Sequence, residues 1–270
     1  MQDVLRGRRV SARRGVQISP GLPRCEGRAR AVVLSAGAVF RAALLDYNGV
    51  LVDDELVHLA AFQEALRPLG LELSEADYWQ RYLGFDDDGA FRAILKDAQR
   101  SVTDELVREL IEAKRPLYLE RARADLKVFP GAAALVRTLH AAGPLAVVSG
   151  ALRDEIELGL SVLGVRQQIG HIVAAEDSRA SKPDPEGYLI GLRWLETEGG
   201  EEVGRHTLVI EDSLSGVEAA KAAGLTCLAV GHSYPLEELA RAGADETVDR
   251  IAHVDREVLE NLYRRTHDAG

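Results

Sequence analysis

Two rhythms of apolar and polar residues divide the chain. Phe40–Asp46 is mostly apolar and closes on a carboxylate, the pattern of a strand buried on both faces. From Asp54 to Gly70 the residues Leu56, Leu59, Ala60, Phe62, Ala65 and Leu66 recur at helical spacing, which predicts an amphipathic helix. Ser74-Glu75-Ala76-Asp77 reads as a capping box opening a second helix through Tyr82, and Gly84-Phe85-Asp86-Asp87-Asp88-Gly89 reads as a turn. Helical spacing resumes over 89–99 and 103–124, with a break expected near Pro116. Residues 55–124 thus form an all-helical stretch of about four helices.

After Phe129-Pro130-Gly131 the rhythm changes. A helix over 131–142 stops at Gly143-Pro144, followed by a strand over 145–148, a helix over 152–163, a strand near 171–174 and a helix over 185–197. Strand 207–211, helix 214–223, strand 225–230 and a last helix over roughly 254–265 complete the series. Short apolar strands alternating with helices predict an α/β fold built on a Rossmann-like parallel sheet covered on both faces. The expected organisation is a core from 39–54 and 125–270, an inserted all-helical cap domain over 55–124, and a disordered basic extension over 1–38.

Charge sharpens that division. Residues 1–41 hold nine arginines against Asp3 and Glu26, a net of +7, whereas the rest of the chain carries 24 basic and 41 acidic residues, a net of −17. The basic segment has Gly and Pro punctuation and no apolar period before Ala31-Val32-Val33-Leu34, so it is expected to be disordered. It reads as an extension unrelated to the fold, a targeting peptide, or an arm for an anionic partner. The overall net charge of −10 argues against a nucleic-acid binder. No apolar run reaches the roughly 18 residues that a membrane helix needs. Cys25 and Cys227 are too few for a disulfide framework, and Cys227, inside Leu225–Val230, is expected in the core. The expected location is the cytoplasm.

The candidate chemistry lies in four segments. They are Leu44-Leu45-Asp46-Tyr47-Asn48-Gly49, Val147-Val148-Ser149-Gly150, Ser181-Lys182-Pro183-Asp184-Pro185 and Val209-Ile210-Glu211-Asp212-Ser213. A carboxylate at the end of a buried parallel strand sits at the sheet edge where open α/β folds bind ligands. In this order, and with the helical insertion after the first strand, the segments resemble the haloacid dehalogenase-like hydrolase superfamily, mostly Mg-dependent phosphatases and phosphomutases, over roughly residues 40–265. The resemblance implies that Asp46 is a nucleophile attacking phosphorus, and that Ser149, Gly150 and Lys182 hold the phosphate. It further implies that Asp46, the backbone carbonyl of Asn48 and Asp212 ligate Mg²⁺, with Glu211 acting through water. The implied substrate is a small phosphorylated metabolite, a sugar phosphate or a phosphoglycolate-like molecule, bound under the cap. Read without the resemblance, Ser149 is a helix N-cap, Lys182 a solvated lysine and Glu211-Asp212 an acidic pair at a helix start.

One position departs from the pattern. Where the phosphatases have Asp-x-Asp, this chain has Asp46-Tyr47-Asn48, and an amide cannot transfer a proton at neutral pH. Either another group such as His58 or Asp54 takes over proton transfer, or the leaving group needs no proton, as in an acyl phosphate, or the substitution impairs turnover. His58, twelve residues after Asp46, is similar in spacing to a histidine of β-phosphoglucomutases. Two alternatives to the hydrolase therefore stand: a β-phosphoglucomutase-like phosphomutase, and a catalytically impaired protein that binds or senses a phosphometabolite. The acidic loop 84–88 speaks against the mutase, whose first cap loop carries an arginine for a second phosphate. Arg81, Arg92, Lys114 and Arg115 are candidate cap contacts or solvated helix faces.

Overall fold

The computed structural model describes residues 39–267; the disordered extension expected over 1–38 lies outside the described residues. β1 (Ala42–Leu45) is followed by a tight loop and β2 (Val52–Asp53). The chain then leaves the core in α1 (Glu55–Leu66) and passes through a helical turn, α2 (Glu75–Asp77), continued over Tyr78–Tyr82. It returns through α3 (Asp87–Asp97) and α4 (Asp104–Asp125) to β3 (Lys127–Val128), α5 (Ala132–His140) and β4 (Leu145–Val148). α6 (Arg153–Leu163), β5 (His171–Val173), α7 (Glu186–Gly199), α8 (Glu201–Arg205) and β6 (Thr207–Glu211) come next. The described chain ends with α9 (Leu214–Ala222), β7 (Thr226–Val230), α10 (Leu236–Arg241), β8 (Glu246–Val248) and α11 (Arg256–His267).

Six strands make one parallel sheet in the order β5-β4-β1-β6-β7-β8. β1 is central, with Leu45 paired to Val147 on one side and Ile210 on the other, so the ends of β1, β4 and β6 are level. Successive residues of these strands feed opposite faces. Ala43, Leu45, Val147, Leu208 and Ile210 belong to one core cluster. Leu44, Ala146, Val148, Val209 and the buried Cys227 belong to the other. Both faces are covered by helices, which is why the strands are apolar throughout.

The helices inserted between β2 and β3 form a cap with its own core, centred on Leu59, Phe62, Leu66, Tyr78, Phe91, Leu95 and Leu110. The two crossings between core and cap are tied together by the antiparallel ribbon of β2 and β3, in which Val52 pairs with Val128. Three sequence expectations are corrected here. Leu56 is 55% exposed, and the buried face of α1 instead includes His58 and Ala61, because α1 must meet α4 as well as the cap interior. α4 runs unbroken through Pro116. Pro116 and Glu112 are both exposed, so the carbonyl that loses its helical donor there can be hydrated. The helix expected at 152 begins at Arg153, four residues after Ser149. No helix among the described residues is long and apolar enough to cross a membrane.

Candidate active site

The three central strands deliver their carboxyl ends to one cavity of about 320 Å³, roofed by the cap loop 84–89. Asp46 follows β1 directly and is fixed by its N–H, which donates to the Ile210 carbonyl at 3.0 Å. Lys182, from the loop before α7, reaches across the strand ends. Its Nζ donates to Asp46 Oδ1 at 2.7 Å, to Glu211 Oε1 at 2.6 Å and to the Val148 carbonyl at 3.2 Å. Glu211 Oε1 also accepts from the Tyr188 hydroxyl at 2.6 Å, and its Oε2 accepts from the Asp212 N–H at 3.0 Å and the Ser213 hydroxyl at 3.1 Å. Asp212 accepts from the Ser233 hydroxyl.

Two glycines make room for this arrangement. Gly49 has φ +72°, and a Cβ there would sit 1.9 Å from Asp212 Oδ2. A Cβ on Gly216, in the first turn of α9, would sit 2.0 Å from Glu211 Oε1.

Carboxylate oxygens of Asp46, Glu211 and Asp212 lie within 4.8 Å of one another, all three residues buried. Three buried carboxylates face a single ammonium, and the balance shows in their acidities. Burial keeps the Asp46 pKa high, with Lys182 pulling it down and Glu211 pushing it up, for a net rise to about 7. Burial and then the neighbouring Asp46 and Glu211 carboxylates push Asp212 well above the ordinary range. Glu211 is also penalised by burial, but Lys182 and Tyr188 outweigh that and hold it low. Hard oxygen donors with uncompensated charge fit a divalent cation such as Mg²⁺, which takes carboxylate and water oxygens. The sequence named all three acids.

Ser149 lies just past β4. Its hydroxyl donates to Asn48 Oδ1 at 3.2 Å and accepts from the Ala151 N–H at 3.2 Å, so it shapes a turn and is not the cap of α6. The Arg153 N–H at the start of α6 is taken by the Glu176 carboxylate. The available donors are those of the turn at Ser149 and Gly150, together with Lys182. Gly150 leaves space for Asp86 of the cap loop, whose Cβ would be 3.1 Å from a Cβ at position 150.

Asn48 is locked by both ends of its amide. Its Nδ2 donates to Asp54 Oδ2 at 2.8 Å, the same oxygen that accepts from the Tyr118 hydroxyl at 2.5 Å. Burial would raise the Asp54 pKa, but His58, Tyr118 and Asn48 outweigh it and hold the carboxyl below its usual range. His58 Nε2 is 3.2 Å from Asp54 Oδ2 and 3.2 Å from Asn48 Nδ2. His58 Nδ1 is 2.8 Å from Lys114 Nζ. An ammonium has no lone pair, so that contact makes Nδ1 the acceptor and puts the ring proton on Nε2, toward Asp54.

Sequence reasoning missed much of this hub. Lys114 is fully buried and bonds Asp87 at 2.6 Å, with Glu155 at 3.8 Å; it is not a solvated helix lysine. Its signal was the helical step to Tyr118, which puts both on one face of α4. Tyr188, Ser233 and Tyr234 also line the cavity without a local motif to announce them. Arg81 and Arg115 pair with Asp97 and Asp154 away from the cavity wall, and Arg92 pairs with Asp88 of the cap loop.

Comparison with known proteins adds the following. A family model described as haloacid dehalogenase-like hydrolase matches residues 43–230. Validoxylamine A 7'-phosphate phosphatase of Streptomyces hygroscopicus subsp. limoneus is 28% identical over 228 residues, 80% of this chain and 99% of the relative. Phosphoglycolate phosphatase of Aquifex aeolicus is 31% identical over 185 residues, 68% of this chain and 81% of its own length. The crystal structure of CbbY from Rhodobacter sphaeroides in complex with phosphate superposes with a TM-score of 0.71 at 26% identity, over 82% of this chain and 99% of that one.

Proposed function

The chain belongs to the haloacid dehalogenase-like hydrolases, and from that membership and the geometry of the cavity we propose that it is a Mg²⁺-dependent phosphate-monoester hydrolase acting on a small phosphorylated metabolite in the cytoplasm. The observation that carries this reading is Lys182 bridging Asp46 and Glu211, with Asp212 beside them, at the level ends of β1 and β6. Asp46, Asp212 and the Asn48 carbonyl would hold the cation, with Glu211 behind them. When bound, Mg²⁺ would neutralise the excess carboxylate charge and the charge on the phosphoryl oxygens.

The protein's own groups account for the rest. Lys182 keeps the Asp46 carboxylate fixed by one oxygen and offers its remaining charge to the incoming phosphate. Ser149 and the Gly150 N–H orient the phosphoryl group against Asp46. The Asp46 carboxylate attacks phosphorus as the bond to the ester oxygen breaks; that oxygen leaves with its bonding electrons and takes a proton from water, giving an aspartyl-phosphate that water later hydrolyses.

Asn48 limits both halves of that cycle. Its amide can hold a leaving oxygen but cannot protonate it, and it cannot deprotonate the attacking water. The cost is about 10²- to 10⁴-fold in rate for alkyl phosphates and less for acyl or aryl phosphates, whose leaving groups need little protonation. This favours one second reading, a protein that binds a phosphometabolite and turns it over poorly. The mutase alternative finds no support in the cap loop, where Asp86 and Asp87 stand and Asp87 is bonded to Lys114. A screen of metabolite phosphates, with and without Mg²⁺, tests the proposal. Metal-dependent phosphate release that Asp46→Asn abolishes supports it, and metal-independent release contradicts it.

A further inference from the structure

Two carboxylates that line the cavity, Glu55 and Asp86, make no ion pair among the described residues. Glu55, in the first turn of α1, accepts from the Tyr78 hydroxyl at 2.5 Å, and no basic side chain among the described residues comes within ion-pair distance of it. Asp86, the cap of α3, accepts from the Gly89 N–H at 2.8 Å and from the Ser181 hydroxyl, again with no basic partner among the described residues. Burial raises the pKa of both. The other acids of the wall are accounted for: Asp87 bonds Lys114, Asp88 bonds Arg92, Asp46 bonds Lys182, Asp212 sits in the acidic cluster, and Asp184 is exposed.

The basic groups are equally committed. Lys182 and His58 are the basic residues lining the cavity among the described residues; Lys182 is taken by Asp46 and Glu211, and His58 lies against Asp54 and Lys114. Lys114 is fully buried behind the wall. A second phosphate or a substrate carboxylate would meet no available cation here and two unpaired carboxylates. A substrate ammonium would meet the reverse. Phe85, 54% exposed, lines the same cavity, and an aromatic ring also attracts a cation.

We infer that the substrate is a phosphate monoester bearing a protonated amine, such as an amino-sugar, aminocyclitol or amino-alcohol phosphate, with Glu55 and Asp86 selecting the ammonium. The inference rests on the phosphate-ester reading of the site. The specificity is electrostatic: a charge-assisted hydrogen bond rewards the amine, and a half-buried carboxylate left without an ion-pair partner penalises its absence.

The test uses amine and hydroxyl partners of one skeleton at neutral pH in Mg²⁺: glucosamine 6-phosphate against glucose 6-phosphate, galactosamine 1-phosphate against galactose 1-phosphate, and phosphoethanolamine against 2-hydroxyethyl phosphate. Phosphate release gives kcat/KM, and calorimetry gives Kd for any ester that is not turned over. The amine member should be favoured at least about tenfold in a pair that binds, the worth of one charge-assisted hydrogen bond. N-acetylation should remove that advantage, and so should Glu55→Gln with Asp86→Asn. Phosphate release with no amine preference, or a preference that survives in the double variant, overturns the inference and leaves the hydrolase reading standing. Tighter binding of amines without any release sustains the inference and overturns the hydrolase reading. No binding and no release for any pair or for p-nitrophenyl phosphate overturns both.

Discussion

Asn48 and Asp54 share one corner of the site, and that pairing decides what substitution at either residue will do. With Asn48 Nδ2 donating to Asp54 Oδ2 at 2.8 Å, an aspartate at position 48 would place two buried carboxylate oxygens at hydrogen-bond distance. Asn48→Asp should therefore raise alkyl-phosphate turnover by about 10²- to 10⁴-fold while lowering stability by about 1–3 kcal/mol above neutral pH. Asp54→Asn in that background should restore the stability. Denaturant unfolding at alkaline pH alongside single-turnover kinetics checks both halves, and an unchanged rate for every alkyl ester would mean that another proton donor, His58 first, is at work. Most of the residues that meet at the strand ends were legible at this scale, because Asp46, Ser149, Lys182, Glu211 and Asp212 each end a strand or sit in a Pro- or Gly-marked loop. The polar hub of Asp54, Tyr118, Lys114 and Glu155 was not. Its members lie far apart in the chain and meet only when α4 folds against α1 and α6.

Single elements carry two further expectations. α4 and α6 meet at the Lys114–Glu155 contact of 3.8 Å, where burial first, then Asp87, pushes the Glu155 pKa up to about 7 against the pull of Lys114. A carboxyl whose folded pKa lies above its unfolded value of 4.5 contributes stability that is full at low pH and is lost as pH rises toward 7. Between pH 5 and 8 the wild type should thus lose more stability than Glu155→Gln, by about 3 kcal/mol at most. Parallel slopes of unfolding free energy against pH for the two proteins would contradict this. At the start of α9, Gly216→Ala would drive a methyl into Glu211. A loss of about 2 kcal/mol or more in stability, together with weaker Mg²⁺ binding, is the expected result. Elements with a clean apolar period, β1, β4, β6, β7 and the buried face of α5, were readable from sequence. β8 was missed because Glu246-Thr247-Val248 is a half-buried edge with no apolar run. β2 and β3 were missed because two-residue strands have no period to detect.

For the molecule as a whole, the order of strands follows from connection rules that local pattern implies but does not spell out. Alternating strands and helices predicted a parallel sheet; that β1 would lie between β4 and β6, and so gather Asp46, Ser149 and Glu211 at one edge, became visible only in the pairing. The same topology places the cap loop over those residues and gives the cavity its acidic roof. The account as a whole rests on Asp46 attacking phosphorus, with Asn48 too poor a base to speed the hydrolysis that follows. Intact-protein mass spectrometry after mixing the enzyme with acetyl phosphate and Mg²⁺ reads this directly. The account predicts one added phosphoryl group, mapped by peptide analysis to Asp46, that accumulates in the wild type, decays faster in Asn48→Asp and is absent in Asp46→Asn. Phosphate release without any trapped phosphoenzyme on rapid quenching, or a phosphoryl group that persists in Asp46→Asn, would contradict it.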